Sequence, residues 1–393
     1  MQKLFLTGLA LFGLFRVFAQ GPDTTSPYKL KTIKIEEINL VSSLYHQEGN
    51  NSAVTGGIGT EKLTDVANSL DIKLLFQKDP LKIHTLDLEV GLDHYSSASS
   101  DKIDLNANSS ASSSDNRFYP SLNYTLENKT KKQTIGAGLS SSTEFDYLSF
   151  GGNINYSKKT KDNSGEFSAK VQVFADQVTL IKPIELRPQG ENGYGTASRN
   201  TYAATLSYAQ IINKNWQILL IADIVKQQGY LSLPFHRVYF DDHSVHQENL
   251  PDSRLKLPVA IRSSYFLGDN IIIKAYYRYY ADNWKLSSHT FNIEVPVKLS
   301  PFFSLSPFYR FYKQNGAQYF NGFEEHTTAD MFYTSNYDLS DFTSYFAGIG
   351  CKFTPLNGGF GVKHFNTLEI RYGHYGKSTG MASNILSLNI KYK

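Results

Sequence analysis

The sequence predicts an all-β protein, a transmembrane antiparallel up-and-down β-barrel of about 16 strands, with about 14 as the lower bound. Apolar and polar residues alternate in about sixteen segments, and such alternation places one set of side chains on each face of a strand. Long connections fall only on every second join between these segments. Short periplasmic turns at one end and long extracellular loops at the other are typical of barrels in the bacterial outer membrane.

The first 19 residues have the pattern of a secretory signal peptide. Lys3 supplies the positive start, residues 4–15 are mostly apolar, and Val17-Phe18-Ala19 fits the cleavage site. We therefore expect export, a short periplasmic leader over residues 20–31, and a single barrel domain over residues 32–393. The alternative is an uncleaved anchor helix, but Arg16 interrupts it and a membrane span needs about 20 apolar residues.

Each strand is predicted from its own alternation. Leu88, Val90 and Leu92, for example, alternate with Glu89 and Asp93. The predicted strands are Thr32–His46, Ala67–Gln77, Lys82–Tyr95, Arg117–Glu127, Gln133–Ser142, Phe145–Thr160, Glu166–Leu180, Thr201–Ile212, Trp216–Gln227, Arg254–Leu267, Ile271–Ala281, Ser287–Leu299, Phe303–Lys313, Phe342–Thr354, Val362–Tyr375 and Ala382–Lys393. An even number of strands places both termini on the periplasmic side of the membrane.

The joins between strands differ in length according to their position. Short joins, such as 213–215 and 268–270, contain the Asn, Asp and Gly residues that favour turns. The long joins, which we expect outside the cell, lie near residues 47–65, 96–116, 182–200, 232–253 and 313–340. The second of these contains two serine-rich pieces, interpreted as a solvated loop with surface recognition as the alternative.

Composition limits the class of protein. The 26 Tyr and 26 Phe suit the aromatic girdles that such barrels place at both membrane interfaces. The single cysteine, Cys351, excludes a disulfide framework within the chain. A net charge of +3 is too small to indicate binding of nucleic acid.

The last predicted strand indicates the partners of the chain. Leu386, Leu388, Ile390 and Tyr392 lie on one face, a pattern that resembles the C-terminal strand recognised by the barrel-insertion machinery. Lys393 departs from that pattern, because a terminal aromatic residue is usual. We expect outer-membrane lipid and the insertion machinery as partners, a further protein partner that the sequence does not identify, and no cofactor.

The alternation also predicts which charges line the lumen. If the apolar side chains face lipid, their alternates face inward. These predicted lumen residues are Glu37, Asp71, Asp87, Glu89 and Asp93 on early strands, and Arg254, Lys256, Arg262, Lys274, Arg278 and Arg310 on later ones. One wall would be acidic and the facing wall basic, and such lining sets the selectivity of a pore. The alternative is that these charges pair between neighbouring strands and only hold the shape of the barrel.

Metal binding and catalysis are weakly indicated. The 232–253 join contains carboxylates and imidazoles that could bind Ca²⁺ or a transition metal, namely Asp241, Asp242, His243, His246 and Glu248. Their spacing matches no metal motif, so we expect no metal site. Ser288 and His289 are adjacent in a strand and point to opposite faces, and the sequence contains no nucleophile motif. We therefore expect that the protein is not an enzyme.

Two linked motifs resemble a known family. The first combines Val238-Tyr239-Phe240-Asp241-Asp242 with Glu248-Asn249-Leu250-Pro251-Asp252-Ser253-Arg254. The second combines Tyr279-Tyr280-Ala281-Asp282-Asn283-Trp284 with Ser287-Ser288-His289-Thr290. Both are similar to an uncharacterised bacterial family, a domain of unknown function in predicted outer-membrane barrel proteins. The resemblance implies the location and architecture, and no substrate or catalytic residue.

Two functional hypotheses follow from these features. The first is a porin-like channel for small polar solutes, because about sixteen strands leave an aqueous interior unless something fills it. The second is a non-conducting scaffold or binding barrel that engages a partner through its long extracellular loops. The aromatic residues of the 313–340 join, among them Tyr319 and Phe332, are expected either to fold inward or to dock outward.

Overall fold

The computed structural model describes residues 33–96, 114–187, 194–355, 358–359, 361–362 and 364–393. The predicted signal peptide and leader lie outside the described residues, as does most of the serine-rich sequence in the 96–116 join. The described residues contain no helix that is both long and apolar enough to cross a membrane.

Nineteen β-strands account for most of the described chain. They are β1 Lys34–Gly49, β2 Glu61–Asp79, β3 Lys82–Ser96, β4 Ser114–Asn128, β5 Gln133–Thr143, β6 Tyr147–Lys159, β7 Gly165–Leu180, β8 Gly195–Asn213, β9 Trp216–Gly229, β10 Arg237–Tyr239, β11 Val245–Gln247, β12 Ser253–Leu267, β13 Ile271–Asp282, β14 Ser287–Glu294, β15 Val297–Lys298, β16 Phe303–Asn315, β17 Phe342–Phe353, β18 Phe365–Lys377 and β19 Ala382–Tyr392. Three short 3-10 helices lie in the joins, at Ala53–Thr55, Ile184–Leu186 and Tyr337–Leu339.

The strands form a closed antiparallel barrel. Each barrel strand pairs with its neighbour in the chain, and β1 pairs with both β2 and β19, which closes the sheet. β14 and β15 are two parts of one strand, both paired with β16 and separated at Val295-Pro296. Proline has no N–H to donate, so it interrupts the hydrogen-bond ladder there. The predicted sixteen-stranded barrel is confirmed.

The structure differs from the predicted strands in four main places. The predicted strand Ser287–Leu299 is broken at Pro296. β2 begins at Glu61 and β8 at Gly195, several residues before the predicted starts, and both are continuous with loops at the same end of the barrel. The hairpin of β10 and β11 was not predicted. These segments lie at or beyond the ends of strands, where no lipid imposes an apolar face.

The two ends of the barrel differ, as the join lengths predict. One end, here called the loop end, carries joins 50–60, 97–113, 181–194, 230–252 and 316–341, together with three short ones. The other, the turn end, carries the short joins and one longer one, 354–364. The first and last barrel strands both have their free ends at the turn end.

The inner and outer faces follow from two observations. Leu88, Val90 and Leu92 are exposed on the outer face of β3, in the alternation that the sequence predicts. On the other face, Arg371 of β18 lies 3.4 Å from Glu294 of β14. Because β16 and β17 separate these two strands, their side chains can meet only across the concave side. That side is the lumen.

We predict that Leu88→Arg impairs folding into lipid more than Glu89→Arg. Leu88 faces the membrane, where an arginine near the midplane costs about 2–4 kcal/mol, whereas Glu89 faces the lumen. The measurement is the urea midpoint of folding in lipid vesicles, with the mobility shift between unboiled and boiled samples as the sign of a folded barrel. Equal losses in the two variants would refute this assignment of faces.

Candidate functional site

The predicted acidic residues lie on the inner faces of β1, β2 and β3. Glu37 lies 2.7 Å from Lys391 of β19, and Asp87 lies 3.9 Å from Lys73 of β2. Asp93 accepts a hydrogen bond of 3.0 Å from Tyr119 and lies 4.0 Å from Arg117, both on β4. This wall therefore contains cations that partly neutralise it.

Asp71 and Glu89 complete this wall. They are cross-strand partners on β2 and β3, so two carboxylates lie side by side there. Ser121 of β4 donates a long hydrogen bond of 3.5 Å to Glu89. The acidic residues predicted from the alternation thus all occupy the inner face, and several have a basic or hydroxyl neighbour.

The predicted basic residues Arg262, Lys274, Arg278 and Arg310 lie together on the opposite side of the lumen. They line one hollow of about 580 Å³, in which Glu294 is the single acidic residue among the described lining residues. Lys274 lies 3.9 Å from Glu294. The structure thus brings together four of the six basic residues that the alternation predicts for the lumen.

Arg254 and Lys256 lie closer to the loop end, away from this hollow. Arg254 donates two hydrogen bonds to Asp282, of 2.8 and 2.5 Å, and its guanidinium stacks on the ring of Trp284 at 4.2 Å. Its charge is therefore neutralised at the base of the loops, and it does not line the basic hollow. Lys256 is on the same inward face of β12, two residues further from the loop end.

A folded assembly of loops covers the loop end, and we call it the cap. It consists of residues 50–60, 181–187, 230–252, 283–286 and 316–341. Arg237 of the 230–252 loop donates to both carboxylate oxygens of Glu185, at 2.6 and 2.9 Å, and to the carbonyl oxygen of Val54 at 2.8 Å. The loops that carry Arg237 and Val54 leave the barrel on opposite sides, so this contact bridges the mouth.

The longest loop of the cap, 316–341, folds inward over the barrel wall. Lys377 extends from the inner face of β18 to Asp338, with 2.8 Å between ammonium and carboxylate. Gln314 of β16 donates to the carbonyl oxygens of Asp338 and Ser340. The sequence left open whether this loop folds inward or docks outward, and the structure places the Tyr337–Leu339 segment across the inner wall.

The residues of the two family motifs anchor the cap. Trp284, 2% exposed, packs with Leu250 and Leu286 in an apolar cluster. Its indole N–H donates to the carbonyl oxygen of Ser253, beside the Arg254 guanidinium. The two motifs, separated in sequence, therefore form one structural unit at the start of the barrel wall.

The carboxylates and imidazoles proposed as weak metal ligands do not converge on one point. Glu248 accepts from the backbone N–H of Leu233 and from the hydroxyl of Thr334 inside the cap. His243 pairs with Glu324, and His246 with Ser244. The hydroxyl and the backbone N–H of Ser244 both donate to Asp242, which lowers the pKa of its carboxyl. Asp241 lies in the same turn, its N–H bonded to the carbonyl oxygen of His326.

A different acidic group, not found from the sequence, lies near the loop end. The carboxylates of Asp115, Glu144 and Asp146 approach one another within 4.8 Å. Burial and the two neighbouring carboxylates raise the pKa of Asp146 to about 6. Tyr95 and two backbone N–H groups already donate to this group, which satisfies much of its hydrogen-bonding capacity.

The sequence prediction missed several lumen charges that the structure shows. Lys73, Arg117, Glu294, Arg371 and Lys391 all lie on the inner face. Each of them belongs to the same alternation that identified its neighbours, so the signal was present in the sequence. Their omission made the acidic wall look more strongly charged than it is.

We predict that Gly57→Ala loosens the cap and that Gly268→Ala does not. Both glycines have positive φ, +86° and +64°, so a side chain costs about 1–3 kcal/mol at either site. At Gly57 a Cβ would also lie 2.9 Å from the carbonyl oxygen of Ser335 in the opposing loop, whereas Gly268 has open space around it.

The measurement is trypsin cleavage after Arg237, whose bond to Val238 is buried until the cap opens. Each loss of about 1.4 kcal/mol in local stability raises the open fraction about tenfold. Faster cleavage in Gly57→Ala, at an unchanged barrel mobility shift, is the expected result. Equal cleavage rates in the two variants would show that the loops do not support each other at this point.

The chain belongs to a family described as a protein of unknown function (DUF3570), whose model matches residues 104–378. The match includes both motifs and confirms the resemblance to a family of outer-membrane barrel proteins. No curated protein matches the chain in sequence.

Solved barrel structures are similar to the chain at low sequence identity. The outer-membrane protein OpdK of Pseudomonas aeruginosa, solved with vanillate, is 7% identical, covers 91% of this chain and 97% of its own, and has a TM-score of 0.42. A BenF-like porin from Pseudomonas fluorescens Pf-5 is 8% identical, with coverages of 91% and 98% and a TM-score of 0.43. A loop L8 deletion mutant of OmpT, an outer membrane protein of Vibrio cholerae, is 9% identical, with coverages of 92% and 99% and a TM-score of 0.47.

Proposed function

We propose that this member of the DUF3570 family is exported by its signal peptide to the outer membrane and forms a porin-like channel for small polar solutes there. The observation that carries the proposal is the hollow lined by Arg262, Lys274, Arg278 and Arg310 in the middle of the lumen wall. Charged side chains that are neither packed nor all paired need water around them. A barrel of about sixteen strands provides room for that water.

The cap gives the proposed channel a filter at its outer mouth. The contact between Arg237 and Val54 and the inward position of Tyr337–Leu339 narrow the entrance. Solutes would therefore pass between loops before they meet the charged wall. The proposed role is passive and not catalytic.

Planar-bilayer recording of the purified, refolded protein tests the proposal. We expect stepwise conductance in KCl, and swelling of proteoliposomes in small sugars at a rate that falls with sugar size. A correctly folded, inserted protein without conductance above the lipid background would contradict it.

We predict that the double variant Arg278→Glu/Arg310→Glu shifts selectivity toward cations. Two positive charges are replaced by two negative ones on the wall of the hollow, and charge lining sets ion selectivity. The measurement is the reversal potential across a KCl gradient. Lys313→Glu is the matched control. Lys313 lies on β16 near the loop end, on the same outer face as Tyr309 and Phe311, so it does not line the lumen. An unchanged reversal potential in the conducting double variant would show that these arginines do not line the path.

The second candidate function, a non-conducting scaffold barrel, is favoured by the cap itself. Loops from opposite sides of the mouth meet through Arg237, and apolar side chains at Ile58, Ile184 and Met331 remain exposed on the cap loops. Such a surface would suit a protein partner. Photo-crosslinking from position 331 in native membranes distinguishes the two functions: one defined partner without conductance supports the scaffold, and conductance without a partner supports the channel.

A further inference from the structure

We infer that the basic hollow is a binding site for a small multivalent oxyanion, of the carboxylate or phosphate class. This inference deepens the proposed function, on which it rests, because it names the class of solute that the channel would take up. It depends on the register of the strands, on the charge balance of the hollow, and on two polar atoms without partners.

The register of the strands brings four cations from three strands around one hollow in the barrel wall. Arg262 of β12 lies opposite Tyr276, Tyr276 opposite Asn292, and Asn292 opposite Arg310 of β16, so the two arginines end one continuous row. Arg278 lies two residues above Tyr276 on β13, and Lys274 lies two residues below it. All four therefore point inward around the same hollow.

The charges around this hollow do not balance. Glu294 is the one acidic residue among the described lining residues, and it is shared between Lys274 at 3.9 Å and Arg371 at 3.4 Å. Arg371 has a second carboxylate, Glu369, at 3.0 Å. The remaining lining cations are arginines, and none of them forms an ion pair with another described residue.

Two of these arginines contact aromatic rings instead. Arg262 lies over the ring of Tyr276 at 5.8 Å, and Arg310 lies 6.0 Å from the centre of the Phe346 ring. Rings hold a guanidinium in place and leave its N–H groups free to donate to a ligand. A guanidinium presents those donors as a planar fork that matches the two oxygens of a carboxylate or phosphate.

The hollow also contains polar atoms that lack a partner. Thr290, the cross-strand neighbour of Arg278, is 6% exposed, and its hydroxyl forms no hydrogen bond with a described residue. The Nε of Arg278 likewise has no partner and is enclosed. A buried donor without an acceptor is costly, so an acceptor bound in the hollow would satisfy these groups once their side chains turn toward it. The Thr290 hydroxyl can donate or accept, but the Arg278 N–H can only donate, and the three arginines of the lining carry unpaired positive charge. Together they favour an oxyanion over a cation.

The experiment is equilibrium dialysis of radiolabelled phosphate and citrate against the folded protein in detergent at low salt. The wild type should bind both anions in competition with each other, and sucrose should not displace them. In Arg278→Gln/Arg310→Gln the dissociation constant should rise at least about tenfold, because two charge-assisted contacts are lost. Arg278→Lys/Arg310→Lys, which keeps the charge and loses the fork, should lie between the two.

Lys170→Gln is the matched control. Lys170 points inward from β7, opposite Asn155 and Thr205, and does not line the hollow. The dissociation constant of this variant should stay within about twofold of the wild type, because Lys170 lies outside the hollow and makes no charge-assisted contact with an anion bound there. The unboiled and boiled mobilities establish that each variant is folded. If the double Gln variant does not fold, the double Lys variant decides instead.

The outcomes separate this inference from the channel proposal. The inference is overturned, even if the barrel conducts, if the wild type does not bind the anions or if both double variants bind them as strongly as the wild type does. Binding that follows the arginines in a barrel without conductance supports the oxyanion site and overturns the channel. Raised KCl should release the bound phosphate. Charge-assisted binding is supported if the wild type needs the highest KCl concentration, the double Lys variant a lower one and the double Gln variant the lowest.

Discussion

The constraint on which this structure depends is that backbone N–H and C=O groups cannot remain unpaired in lipid. The chain satisfies it by pairing β1 with β19, which removes both edges of the sheet. Closure then forces the alternation of side chains, because each strand contacts lipid on one face and the lumen on the other. The exposed leucines of β3 and the carboxylates between them result from this single requirement.

The same constraint explains why the charges of the lumen are arranged in sectors. In a closed barrel of sixteen strands, strands about half the circumference apart lie on opposite walls, so the carboxylates of β1 to β3 face the arginines of β12 to β16. The two walls are not equivalent. Lys73, Arg117 and Lys391 partly neutralise the acidic wall, whereas Glu294 is the one acid available to the basic hollow among its described lining residues. The excess positive charge therefore lies in one place.

The sequence was sufficient for the barrel and insufficient for the cap, and the reason is physical. Lipid imposes a period of two on every residue of a strand, so the facing of Leu88 and Glu89 can be read locally. No such period governs the loops. The contact between Arg237 and Val54 joins residues 183 positions apart, and nothing local to either residue indicates it.

One part of the cap was accessible from the sequence. The turn at 268–270 fixes the register of β12 against β13 and makes Lys256 the partner of Asp282, which brings Arg254 within reach of that carboxylate. Counting along this hairpin would have identified the ion pair. The family motifs that contain Arg254 and Trp284 then acquire a physical meaning, since they anchor the loops to the barrel wall.

The central claim is that the polar lumen beneath the cap is continuous with the outside. The most direct test places a cysteine at Asn292, in the row between the arginines, and another at Phe291, its lipid-facing neighbour, in a Cys351→Ser background. Intact cells are treated with a membrane-impermeant, negatively charged methanethiosulfonate. The account predicts that Asn292→Cys is labelled and Phe291→Cys is not. If Asn292→Cys is labelled only after the folded barrel is denatured, the cap seals the lumen and the account is contradicted.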